Sequence, residues 1–180
     1  SLFNGRSGIV KEQRRVDMGF QSPLTGRVPI PDLKGVIGRR DRMGMSEEAI
    51  FSYVSAIQAT EMAIMDEQFR IDNEVGCLYG NDSSAKAVIA GVDALREKGD
   101  TSLIGSGNVF QSMNSTATMN LATILQLKGV NFTVSAACAS GSPRIGLGSL
   151  LIKMGMPEPI VCAGAQEIDA YGLVSFDASG

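Results

Sequence analysis

Three short apolar runs, EVGCLYG at 74–80, VNFTVSA at 130–136 and EPIVCAGA at 158–165, are separated by segments whose apolar residues recur at helical spacing. Strands that alternate with helices are most simply joined by crossovers, so the chain is expected to form an α/β layer fold, mostly parallel sheet with flanking helices. The intervening helices carry their own signals. From Ser46, SEEAIFSYVSAIQATEMAIMDE has a serine cap, acids in its first turn and Ile50, Val54, Ile57 and Met62 on one predicted face. AKAVIAGVDALREKG is stopped by Gly99, and TMNLATILQLKG again ends in Lys and Gly. A fourth helix is expected within 139–154, with Pro143 delaying its start to near Ser142. The first 44 residues, rich in Gly, Pro and charge, read as loops and short strands.

The chain has 180 residues, 44% of them hydrophobic, which suits one domain with a substantial core. Its net charge of −3 offers no general attraction for nucleic acid. No apolar run reaches the roughly 18 to 20 residues that span a bilayer, and no signal-peptide layout opens the chain, so a cytoplasmic location is expected. Cys77, Cys138 and Cys162 form no C-x-x-C pair, which argues against a disulfide framework or a zinc site. Histidine is absent, removing the commonest general base and metal ligand. The chain opens at SLFNGRSGI and closes at SFDASG in mid-pattern, as expected of a fragment.

The segment VSAACASGS places Cys138 between a strand and a helix, where ligands gather in α/β folds. Small neighbours leave room for a substrate, and amides at a helix start would favour a thiolate and a developing oxyanion. From its position alone, small core filling is the favoured reading of the same cysteine. Cys77 and Cys162, inside apolar runs, are expected to pack in the core.

VNFTVSAACASGSPRIG, followed by IVCAGAQE and FDASG, resembles the nucleophile region of the β-ketoacyl-acyl-carrier-protein synthases, the elongating type most of all. GRSGI, the arginine-containing approach to the first helix and VGCLYG fall in the same order. The resemblance implies an incomplete thiolase-like fold in which 1–180 form part of the N-terminal half. The family's first strand and helix, and the whole C-terminal half with two catalytic histidines, would lie outside the chain. Because that first strand is central in the family's sheet, unpaired backbone groups, exposed apolar surface and aggregation are expected.

The resemblance makes Cys138 the acyl acceptor and makes acyl and malonyl thioesters of acyl carrier protein the substrates. Phe176 matches an acyl-pocket residue, and Met113 one that lines the pocket across a homodimer. Arg39, Arg40 and Arg42, with Lys34 against Asp41, match a segment that docks the carrier protein. No cofactor or metal is implied. Two local departures are Pro143, where many members have histidine, and the loop GNDSSA, less glycine-rich than its counterpart and expected to reshape the pocket. Competing readings are a polyketide-type ketosynthase and a non-catalytic partner subunit, the latter usually lacking the cysteine. A thiolase would use coenzyme A thioesters, and FDASG points away from it.

Overall fold

The computed structural model describes residues 2–156 and 159–179. Its centre is β3 (Gly76–Gly80), wholly buried and paired in parallel with β4 (Asn131–Val134) on one side and β5 (Ile160–Gly164) on the other. Cys77 faces Asn131 across one ladder and Val161 across the other, and the last rungs are Gly80 with Val134 and Gly80 with Gly164. A second, two-stranded antiparallel ribbon joins β1 (Ile9–Lys11) to β2 (Leu24–Gly26), with the short α1 (Gln13–Asp17) between them. Strand β3 is paired on both sides, and among the described residues β4 and β5 are the outer strands of this sheet, each with one edge that meets no further strand. Apolar side chains are also exposed, among them Phe3, Ile9, Ile145, Leu150 and Phe176.

Helix α2 (Arg39–Met43) precedes α3 (Glu47–Met62), which opens where Ser46 Oγ accepts a hydrogen bond from the Ala49 amide at 3.4 Å. The buried residues of α3 are Glu48, Ala49, Ser52, Ala56 and Thr60; apart from Glu48 they form a ridge of small side chains spaced nearly every fourth position. Ile50, Val54 and Ile57 flank the core and Met62 is exposed, so the expected apolar face is displaced. Small side chains let the helix approach the sheet, and the branched ones pack beside that line. Ile64 takes a left-handed φ of +57°, ending the helix short of the predicted AIMDE tail. Asp66 then caps a separate α4 (Glu67–Asp72), its Oδ1 accepting from the Phe69 amide at 2.8 Å.

Helix α5 (Ala85–Lys98) ends at Gly99 with φ +67°, as its sequence predicts. The polar loop that follows holds a single-turn α6 (Gly107–Gln111). Helix α7 (Thr116–Ile124) stops earlier than LKG suggests, because Gln126 turns left-handed at φ +57° and the Leu127 amide bonds back to Ala122 O at 2.9 Å. Gly129 has another use: its amide donates to Val75 O at 2.9 Å where the backbones nearly touch. Helix α8 (Pro143–Lys153) begins late with proline at its first turn, and α9 (Ala170–Ala178) follows β5.

The core lies between β3 and helices α3 and α7, where Ala49, Ala56, Val75, Cys77, Tyr79 and Leu121 are buried. Cys162 is not core filling: it is exposed on β5, its Sγ donating to Arg144 O at 3.6 Å. The Tyr79 hydroxyl and Ser52 Oγ share a buried hydrogen bond of 2.5 Å. Burial pushes the Cys77 thiol up from 9.0 to about 12, with Cys162 adding to it, and burial pushes the Tyr79 phenol up from 10.0 to about 12. Both groups are held neutral, so their contribution to stability is complete below the unfolded values and is lost as pH rises through about 12. Urea unfolding at about pH 8 and about pH 11 should show a loss of several kcal/mol, at about 1.4 kcal/mol per pH unit for each group. In Tyr79→Phe the drop should be smaller; stability that stays level across this interval would contradict the assignment.

Candidate active site

Between β4 and α8, residues 135–142 form successive tight turns, with amides of Ala139, Ser140 and Ser142 bonding back to Ala136, Ala137 and Ala139 at 3.0, 3.0 and 3.1 Å. Ala137 adopts φ +47°, a conformation costly for a residue with a Cβ, immediately before Cys138. Two side chains hold the turn. Asp82 Oδ1, from the loop after β3, accepts from Ser135 Oγ at 2.7 Å and from the Ala137 amide at 3.1 Å. Ser140 is buried, its Oγ accepting from the Ala136 amide at 2.8 Å and donating to Ala137 O at 2.7 Å. Cys138 itself is exposed among exposed alanines. It is therefore accessible, and the core-filling reading is withdrawn for this cysteine.

Helix α8 starts at Pro143 with Ser142 as its cap, as the proline predicts, so Cys138 stands on the turn that precedes the helix. Cys138 is exposed to solvent on that turn. Phe176 is 66% exposed on α9 and borders a cleft of about 380 Å³ with Arg15, Gln21, Ser22, Leu173 and Asp177. Met113 is 41% exposed just beyond α6. The cleft that Phe176 borders is lined by neither Cys138 nor Met113.

The three arginines lie on α2, a short helix where a loop was expected. Arg39 and Arg40 are exposed, and Arg40 borders a cleft of about 530 Å³ with Met43, Phe110 and Asn120. Arg42 is half-buried, its Nε donating to Ile37 O at 3.1 Å, so it also braces its own loop.

A buried polar network went unread in the sequence. Glu167 accepts from the Ala85 and Lys86 amides at 2.7 and 3.1 Å, fastening the β5–α9 connection to the start of α5. Burial pushes its carboxyl up, against the lowering effect of these amides, and nearby Glu48 and Asp169 add to the rise. Burial alone would lower Lys86, but pairing with Glu47 and Asp169 raises it. Ser84 Oγ donates to Glu48 Oε1 at 2.7 Å, and Asp169 Oδ1 caps α9 through the Tyr171 amide at 2.8 Å. GNDSSA therefore serves as a polar junction, with Asp82 toward the Cys138 turn and Ser84 toward this network. Asp and Ser between a strand and a helix are ordinary capping signals; their remote partners are not visible in sequence.

Residues 5–180 match the model of the family described as Beta-ketoacyl synthase, N-terminal domain. The chain is 31% identical to 3-oxoacyl-(acyl-carrier-protein) synthase 1 of Escherichia coli K12, over 100% of this chain and 45% of that protein. It is 30% identical to the synthase 1 of Haemophilus influenzae, over 100% of this chain and 44% of that one. The chain thus spans under half the length of these relatives. Among solved structures, a β-ketoacyl synthase from Burkholderia phymatum STM815 aligns with a TM-score of 0.86 at 23% identity, covering 98% of this chain and 44% of that one. A structure titled as the AntDE:AntF type II PKS acyl-carrier protein in complex with its ketosynthase gives 0.71 at 21% identity, covering 82% and 42%. Identities this low speak for the fold alone. With a thiolase-like α/β sheet and a family match along almost its whole length, the chain belongs to the β-ketoacyl synthase family, within its N-terminal domain.

Proposed function

We propose that the chain is part of a 3-oxoacyl-acyl-carrier-protein synthase of the cytoplasm, an acyltransferase in which Cys138 receives the growing acyl group. The observation that carries this reading is an exposed cysteine beside a left-handed Ala137, on a turn held by Asp82 and Ser140. Its thiolate attacks the carbonyl of an acyl-carrier-protein thioester, forming a new thioester at Sγ; the carrier's thiolate leaves and takes up a proton. In the longer protein, malonyl-carrier protein then loses carbon dioxide. The resulting carbanion attacks the Cys138 thioester and releases the Cys138 thiolate, lengthening the acyl chain by two carbons.

The second half-reaction needs donors for the enolate oxygen, which the family supplies through histidines, and this chain has none. Incubation with acyl- and malonyl-carrier protein should give an acylated chain and no β-ketoacyl product; formation of that product by the 180-residue chain would contradict the reading. Phe176 and Met113 are proposed to line the acyl pocket once a homodimer brings a partner's surface over them, a role compatible with their exposure. Arg39, Arg40 and Arg42 are proposed to dock the acidic carrier protein: Arg39 and Arg40 are exposed, Arg42 is half-buried, and none of the three forms an ion pair among the described residues. Replacing both Arg39 and Arg40 by Glu should weaken carrier-protein binding about tenfold or more at low salt, with the difference shrinking as salt rises. Titration calorimetry at two ionic strengths checks this, and equal affinities would remove the arginines from the docking surface.

A further inference from the structure

Arg144, the second residue of α8, turns its side chain back over the ends of the parallel strands. Its Nη1 donates to Ser140 O at 3.3 Å, while Nε is buried without a partner. Strands β3 and β5 both end in glycine at the same rung, Gly80 opposite Gly164. A methyl group at Gly164 would overlap the guanidinium, with Cζ 2.9 Å away, and one at Gly80 would overlap the same guanidinium and the Ser140 carbonyl. The room left by two strand-ending glycines is thus the room the cation occupies. Bringing a guanidinium this close to apolar strands is unfavourable unless its contacts compensate, yet among the described residues only one of its donors meets a carbonyl. That carbonyl belongs to Ser140, whose hydroxyl bonds on both sides to the residues just before Cys138.

We propose that Arg144 is a positioning residue for the Cys138 turn: a strut from α8 that presses Ser140, and through it Ala136 and Ala137, onto the ends of β3 and β5, with Gly80 and Gly164 kept small to seat it. The strut stands on contacts alone; its consequence for acyl transfer rests on the proposed role of Cys138.

Amide hydrogen exchange on the 180-residue chain tests the strut. In Arg144→Met the amides of Ala136, Ala139, Ser140 and Ser142 should exchange about tenfold faster or more, while those of β3 keep their protection. Gly164→Ala should loosen the same amides when Arg144 is present and add little when Arg144 is already Met. Where Arg144→Met does not fold, Arg144→Lys, which keeps charge and stem but not the planar fork, gives the same reading, with a smaller loosening than Met. Unchanged turn protection in these variants, or a Gly164→Ala effect equally large without the arginine, overturns the strut.

Acylation by a short acyl thioester supplies the second readout. Acyl transfer to Cys138 should fall about tenfold or more in Arg144→Met and be partly restored in Arg144→Lys, while alkylation of Cys138 by iodoacetamide, which demands little orientation, changes less than about threefold. A parallel fall in both rates would assign Arg144 a merely structural part. A wild-type chain that accepts no acyl group, together with a turn that loosens in Arg144→Met, would sink the acyl-acceptor reading and leave the strut standing.

Discussion

Cys138→Ala should abolish the hydroxylamine-sensitive acyl label that the chain acquires from acyl-carrier protein, a loss of at least about a thousandfold in labelling rate. Cys138 is exposed on a turn held by Asp82 from another loop and by Ser140 from within, and small exposed alanines flank it. Cys77 is buried and held protonated, so it offers neither access nor a nucleophile. Cys162 is the informative control: it is also exposed, but burial of its thiol raises its pKa against the lowering effect of Arg144, and its Sγ is engaged with a backbone carbonyl. Cys162→Ala should therefore leave labelling within about twofold of the wild type. Intact-mass measurement after brief exposure checks both variants, and persistent acylation of Cys138→Ala would mean that another group is the acceptor.

A second large effect, on stability, is expected far from the thiol. A Cβ at Gly129 would sit 2.7 Å from Glu74 O, 2.9 Å from the Gly76 amide nitrogen and 2.9 Å from the Val75 carbonyl carbon. All three are backbone atoms at the entry to β3, so relief requires the α7–β4 connection to move away from the central strand. That movement would also break the Gly129 amide bond to Val75 O. Gly129→Ala should cost about 3 kcal/mol or prevent folding altogether, whereas Gly146→Ala, inside α8 where a Cβ meets nothing within 4 Å, should leave stability unchanged or raise it by up to about 1 kcal/mol. Denaturant unfolding of the pair separates this steric effect from any general intolerance of glycine replacement, and equal stabilities would refute it.

Gly129 also shows where sequence and structure part. In LKG it reads as a helix stop, but the helix has already ended before Gln126, and the glycine is there because two backbones meet. Signals that act within a few residues were legible: the Ser46 cap, the Gly99 stop, Pro143 at the start of α8 and the apolar run of β3. Features set by distant neighbours were not. The buried line of α3 follows its small residues because the sheet and α7 lie close, and Cys162 is exposed because it sits on an outer strand. For the site, the motif around Cys138 gave the thiol its place between β4 and α8. The supports from Asp82, 55 positions before Ala137, and from Arg144 beneath two strand-ending glycines depend on the folded chain.

Site-resolved acylation of all three cysteines in one sample is the most direct test of the acceptor assignment. The folded chain is mixed with acyl-carrier protein, quenched in acid at successive times, and each cysteine peptide is weighed. Acyl groups should accumulate on Cys138 at least about a hundredfold faster than on Cys162, with none on Cys77 until the chain is unfolded. Equal accumulation on Cys138 and Cys162 would show that exposure alone governs the reaction and that the turn confers nothing.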